Sequence, residues 1–119
     1  MKKNIWIDGS TTRLAYIIED FAPRVLGLPQ KATVNEGEYH ALIYALREAI
    51  DLGFQRVSVW SDSQLIVRQV NGQYRCRNDR MKTLLEEAQR LIALFQKFEI
   101  FWIPRTQNLA GFLLEDNAK

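Results

Sequence analysis

Three features of the sequence predict an α/β fold: three short apolar runs with brief links before residue 34, a long stretch of helical periodicity after it, and a β-type run directly behind that helix. Short runs with tight links read as an antiparallel meander. The strand–helix–strand passage predicts a parallel crossover, which is nearly always right-handed. At 119 residues the chain suits a single domain, 1–119, that buries roughly two-thirds of its unfolded surface.

The elements follow in order. Asn4 to Ile7 reads as a strand closed by Asp8, and Ser10-Thr11-Thr12 as a tight connection. Leu14 to Ile18 is a second strand, closed by Glu19-Asp20. A third, less regular strand is predicted from about Arg24 to Thr33, where Pro23 and Pro29 punctuate the pattern. A helix from about Glu36 to Leu52 carries Leu42, Ile43, Leu46 and Ile50 at helical spacing and stops at Gly53. Arg56 to Trp60 is a fourth strand, and a helix runs from Ser63 to about Val70. After a polar stretch comes a long amphipathic helix with Met81, Leu84, Leu85, Ala88, Leu91, Ile92 and Phe95 on one face. Glu99 to Ile103 is a fifth strand stopped by Pro104, and a short helix spans about Gln107 to Leu114. Trp6, Trp60 and Trp102 fall on strands and are expected in the core; His40, the sole histidine, is expected to be structural.

With 47% hydrophobic and 25% charged residues the composition is that of an ordinary soluble globular protein. The net charge of +2 is too small to demonstrate a polyanionic partner. A single cysteine, Cys76, excludes an internal disulfide and fits a reducing compartment. Met1-Lys2-Lys3 leads into only a brief apolar run, so neither a leader nor a membrane span is expected, and the cytoplasm is the expected location.

Three acids stand where an acid is wasted unless it binds something. Asp8 and Asp62 each close an apolar strand, and Glu38 lies near the start of the first helix. Each has an ordinary reading: Asp8-Gly9 as turn chemistry, Asp62 as a helix cap, Glu38 as partner to Asn35 in a capping box. Glu38, however, shares the stripe of Leu42, Ala45, Leu46 and Ala49. If the two strands are parallel neighbours, their carboxyl ends lie roughly 4.8 Å apart, where open α/β sheets bind ligands. Three converging acids would repel unless a divalent cation neutralised them, and hard oxygen ligands suit Mg²⁺.

These contexts resemble type 1 ribonuclease H, in its compact, archaeal-like branch. The likeness rests on Ile7-Asp8-Gly9-Ser10, on Asn35-Glu36-Gly37-Glu38-Tyr39-His40-Ala41-Leu42, on Ser61-Asp62-Ser63-Gln64-Leu65-Ile66-Val67, on Gln69-Val70-Asn71-Gly72 with Tyr74, and on Trp102-Ile103-Pro104-Arg105 with Asn108. The resemblance implies a ribonuclease H-like five-stranded mixed sheet flanked by helices, with the first and fourth strands parallel neighbours. It implies metal-dependent cleavage of the RNA strand of RNA–DNA hybrids by a monomer using two Mg²⁺ ions, with Mn²⁺ as a possible substitute. Asp8 would bridge the ions, with Glu38 and Asp62 as further ligands.

For substrate, the resemblance implies Thr33 at a DNA-strand phosphate, although the usual Asn beside it is Val34 here. It implies Asn35 and Gln64 in the minor groove, Gly9 and Ser10 against the RNA backbone, and Ser63, Arg105 and Asn108 nearby. Asn35 also suits helix capping and Gln64 an exposed first turn. The basic segment Arg75, Arg77, Arg80 and Lys82 is either a solvated face or a phosphate contact. One departure is plain. Where the family carries its fourth catalytic acid, this chain has Phe112 without a gap or Gly111 with a one-residue deletion. Glu115 and Asp116 are the possible substitutes. The rival expectation is a catalytically weak domain that binds hybrid or duplex without efficient cutting.

Overall fold

Residues 1–115 are described by the computed structural model. The strands are β1 (Lys2–Gly9), β2 (Arg13–Ile18), β3 (Arg24–Gly27), β4 (Arg56–Ser61) and β5 (Lys97–Trp102). The helices are α1 (Val34–Asp51), α2 (Gln64–Val70), α3 (Asp79–Ile92) and α4 (Gly111–Leu114). The sheet has five strands in the order β3-β2-β1-β4-β5. The meander supplies the antiparallel pairs β1–β2 and β2–β3, and the crossovers supply the parallel pairs β1–β4 and β4–β5.

Alternation along the central strands explains the layering. Ile5 and Ile7 of β1, Val57 and Val59 of β4 and Ile100 of β5 point to one face and join a core with Leu42, Ala45, Leu46 and Ala49 of α1 and Ala88 of α3. The opposite face is thinly covered. Ala110 and Leu114 pack there on Ala15 with Trp6 at the margin, while Trp60 stacks on Phe101 with ring centroids 4.9 Å apart. No helix among the described residues is long and apolar enough to cross a membrane.

Three expectations need correcting. The third strand ends at Gly27 rather than Thr33; Pro29 removes a donor, and the segment instead hangs on single bonds from Leu28 N to Thr12 O and Ala32 N to Thr11 O. The last helix is split into a 3₁₀ turn, Arg105–Gln107, and α4. Between them Asn108 is extended, because its side chain bonds elsewhere. The tryptophans lie outside the main core: Trp6 and Trp60 are half-buried on the thin face, and Trp102 is 44% exposed.

Candidate active site

The register of the parallel pair builds the site. Trp6 pairs with Trp60 across β1 and β4, so Asp8 and Asp62, each two residues on, project from the same face at the same level. The third acid arrives through a contact that only glycine permits. A Cβ on Gly9 would stand 2.2 Å from the Gly37 carbonyl carbon, and one on Gly37 2.0 Å from the Ser10 carbonyl oxygen. The end of β1 and the first turn of α1 therefore touch backbone to backbone, which delivers Glu38 to Asp8. One carboxylate oxygen from each of Asp8, Glu38 and Asp62 lies within 4.8 Å of the others.

The helix start is fixed by other residues. Thr33 is the N-cap of α1 and accepts from Glu36 N, while the Glu36 carboxylate accepts from Thr33 N. The capping box is thus Thr33–Glu36 and not Asn35–Glu38, and Glu38 is left over for another task. Asp62 likewise does not cap α2; Ser63 does, its hydroxyl accepting from Ile66 N.

Asn108 holds the third corner. Its Nδ2 donates to Ile7 O at 2.9 Å and Asp62 Oδ2 at 3.1 Å, and its Oδ1 accepts from Ala110 N. Trp102 Nε1 donates to Asp62 O. Arg105 closes the cluster on the solvent side, with Nη1 3.2 Å from Asp62 Oδ2 and 3.5 Å from Asp8 Oδ1.

Electrostatically the site is costly. Asp8 and Glu38 are 2% and 4% exposed, and Asp8 Oδ1 and Glu38 Oε1 have no hydrogen-bond donor. Arg105 Nη1 stands 3.5 Å from Asp8 Oδ1 as an ion pair and not as a hydrogen bond. Burial, then the Glu38 neighbours Asp8 and Asp62, push the Glu38 carboxyl up to about 9. Burial and Asp62 push Asp8 up to about 6, against the opposing pull of Arg105. Buried carboxyl oxygens without hydrogen-bond partners are rare because each carries a desolvation penalty. An all-oxygen set converging on one point is what a hard divalent cation requires, so these residues fit one.

The sequence matches the reverse transcriptase-like family over residues 10–114. The chain belongs to that family. Its domain is ribonuclease H-like: the crystal structure of RNase H1 from Halobacterium salinarum matches with a TM-score of 0.88 at 26% identity, covering 96% of this chain and 94% of that one. The curated ribonuclease HI of Halobacterium salinarum is 35% identical over 88 residues, 74% of this chain and 44% of that protein. A bifunctional protein of Mycobacterium tuberculosis is 33% identical over 74% of this chain and 24% of its own length. The solved N-terminal RNase H domain from that bacterium matches with a TM-score of 0.82 at 28% identity, covering 90% and 85% of the two chains. LC11-RNase H1, solved with an RNA/DNA hybrid, shares the fold with a TM-score of 0.81 at 24% identity, covering 90% and 88%. The chain thus spans between 24% and 44% of the length of the first two curated relatives.

In this ribonuclease H-like domain the remaining expected residues divide. Asn35 is half-buried and Gln64 exposed, both at helix starts near the acids. Gly9 is buried against Gly37, so it shapes the site rather than facing solvent. Ser10 turns the chain, its hydroxyl accepting from Thr12 N and Arg13 N. Thr33 is exposed but spends its hydroxyl on the cap. Asn108, expected at the substrate, is wholly buried, with its Nδ2 donating to Asp62 Oδ2. Of the basic segment, Arg80 pairs with Glu36 at 3.0 Å, while Arg75, Arg77 and Lys82 are exposed.

The missing acid is placed by a glycine. A Cβ on Gly111 would lie 3.7 Å from Asp62 Oδ2 and 3.7 Å from Arg105 Nη1, whereas Phe112 is 49% exposed. Gly111, not Phe112, therefore faces the cluster. Glu115 is exposed beyond α4 and does not join the three acids; Asp116 lies outside the described residues. The sequence reading missed Gly37, the pairing of Arg105 with two acids and the role of Asn108. A glycine beside each of two candidate acids, Asp8-Gly9 and Gly37-Glu38, was the available signal for the first.

Proposed function

We propose that the chain is a metal-dependent endoribonuclease that hydrolyses the RNA strand of RNA–DNA hybrids, with Mg²⁺ held by Asp8, Glu38 and Asp62. The observation that carries this reading is the pair of buried, donorless oxygens on Asp8 and Glu38 inside a three-acid cluster. A protein keeps such a penalty only where a ligand offsets it, and family membership supports nuclease chemistry as the reason. The hybrid-bound LC11 relative supports the choice of substrate.

Asp8, Glu38 and Asp62, whose oxygens converge within 4.8 Å, are the residues that would hold the metal. Divalent ions, when bound, activate water and stabilise a leaving 3′ oxygen. The chain's own contribution is positional. The Gly9–Gly37 contact sets the Asp8–Glu38 separation, and Asn108 fixes the Asp62 rotamer from beneath. Asn35, Gln64, Ser10 and Ser63 border the acids and are assigned to the hybrid. Exposed Arg75, Arg77 and Lys82 would add salt-sensitive attraction to phosphates. A cytoplasmic monomer fits this reading.

Gly111 favours a second reading, a domain that holds hybrid but cuts it weakly for want of a fourth acid. Incubation of 5′-labelled RNA–DNA hybrid with Mg²⁺ and with Mn²⁺ separates the two. RNA fragments from hybrid, with a labelled DNA duplex left uncut, support the nuclease; retention of hybrid without fragments under both metals supports the binding domain.

A further inference from the structure

We infer that Arg105 is the resident counter-cation of the acidic cluster and that a divalent ion has to displace it. The inference rests on the assignment of Asp8, Glu38 and Asp62 as cation ligands. A single nitrogen, Arg105 Nη1, spans the two strand ends, 3.2 Å from Asp62 Oδ2 and 3.5 Å from Asp8 Oδ1. Asp8 and Asp62 both belong to the trio whose carboxylate oxygens converge within 4.8 Å. A guanidinium and a divalent ion cannot occupy one such space, since both are positive and both need the same lone pairs.

The arginine is built to leave. Its side chain is 53% exposed, against 3% for Asp8 and 11% for Asp62. It closes the cluster from the solvent side and can swing outward without opening the core. Its backbone, in contrast, is held. Pro104 precedes it, Asn108 N donates to Arg105 O, and Asn108 is anchored to Ile7 and Asp62. The motion is therefore confined to the side chain.

Gly111 explains why the arginine is here. The position beside Arg105 Nη1 and Asp62 Oδ2, 3.7 Å from each, carries no side chain. The guanidinium takes up space and charge balance at that corner, so it holds three acids together before a cation arrives. Its cost is competition: apparent cation affinity falls by the fraction of time the arginine is in place.

Calorimetric titration of Mg²⁺ into wild-type protein, R105Q and R105K tests this, with thermal melting in EDTA and in saturating Mg²⁺. R105Q is expected to bind Mg²⁺ about three- to tenfold more tightly. It should melt below wild type in EDTA, with the gap closing in Mg²⁺; R105K should fall between. Affinity in R105Q equal to or weaker than wild type overturns the inference. A second measurement needs no folded variant: guanidinium NMR signals of Arg105 in wild type are expected to shift and exchange faster with water at saturating Mg²⁺. Unchanged signals overturn the inference. Absence of Mg²⁺ and Mn²⁺ binding in every variant overturns both it and the metal-site assignment, whereas equal binding in all variants overturns only the displacement. Neither readout depends on cleavage.

Discussion

Glu36 and Glu38 stand in the first turn of α1 and are equally hidden, at 5% and 4% exposure. Their surroundings differ completely. The Glu36 carboxylate accepts from Thr33 N and pairs with Arg80. Glu38 Oε1 has no donor, and its neighbours are two more acids. Burial alone therefore says nothing about role. A satisfied buried acid is part of the scaffold, and an unsatisfied one is reserved for something that arrives later.

The sharpest way to break this contrast is to neutralise each acid in turn. Glu38→Gln is expected to reduce hybrid cleavage by more than the ~100-fold that loss of a supporting partner costs. Its metal-free melting temperature should hold or rise, because burial no longer requires the side chain at position 38 to take up a proton. Asp8→Asn should behave in the same way. Glu36→Gln should do the reverse, lowering stability by up to about 1 kcal/mol through loss of the Arg80 ion pair while the cap survives and most activity is spared. Equal activity losses at 36 and 38, measured at one Mg²⁺ concentration, would remove the distinction.

The corner at Gly111 offers a test of intermediate size. Affinity for hard cations follows ligand charge, so Gly111→Asp is expected to tighten Mg²⁺ binding several-fold by titration. Phe112→Asp, at an exposed position, should leave it unchanged. The opposite ranking would show that the deletion has been placed one residue out.

A pH slope tests the same contrast in the metal-free protein. Glu38 and Asp8 hold their protons in the metal-free fold to about 9 and about 6, while the unfolded chain releases them near 4.5 and 3.8. Between those limits the unfolded state binds fewer protons, so metal-free stability falls as pH rises. Melting in EDTA should accordingly decline from pH 5 to pH 8, and the stabilisation by Mg²⁺ should grow over the same range. A flat EDTA profile with Glu38→Gln indistinguishable from wild type would contradict the raised Glu38 value.

Element types and the three acids were legible early because they depend on local pattern, whereas the pairing of the first and fourth strands was implied only by the family resemblance. Apolar runs ending in Asp8 and Asp62 fix which strand ends carry charge, and the 3.6-residue stripe through Leu42 and Leu46 fixes the face of Glu38. Side-chain roles at the boundaries were not legible. Thr33 and Asn35 are both good caps, and only the position of the first turn chose Thr33. Trp102 looked like core because strand alternation says which face a residue takes, not what covers that face.

By itself the sequence determined that Asp8, Glu38 and Asp62 sit at element ends, because hydrophobic periodicity is a local property of the chain. Tertiary structure decided the rest, because distances between remote segments depend on backbone approach. Gly9 meeting Gly37 across 28 positions joins two acids, and Asn108 reaching Ile7 and Asp62 breaks the last helix to lock the third. The same packing sets Arg105 against Asp8 and Asp62 and empties the corner at Gly111. No periodicity encodes a contact between a loop after β5 and the ends of β1 and β4, so the charge balance of the site is a property of the folded chain alone.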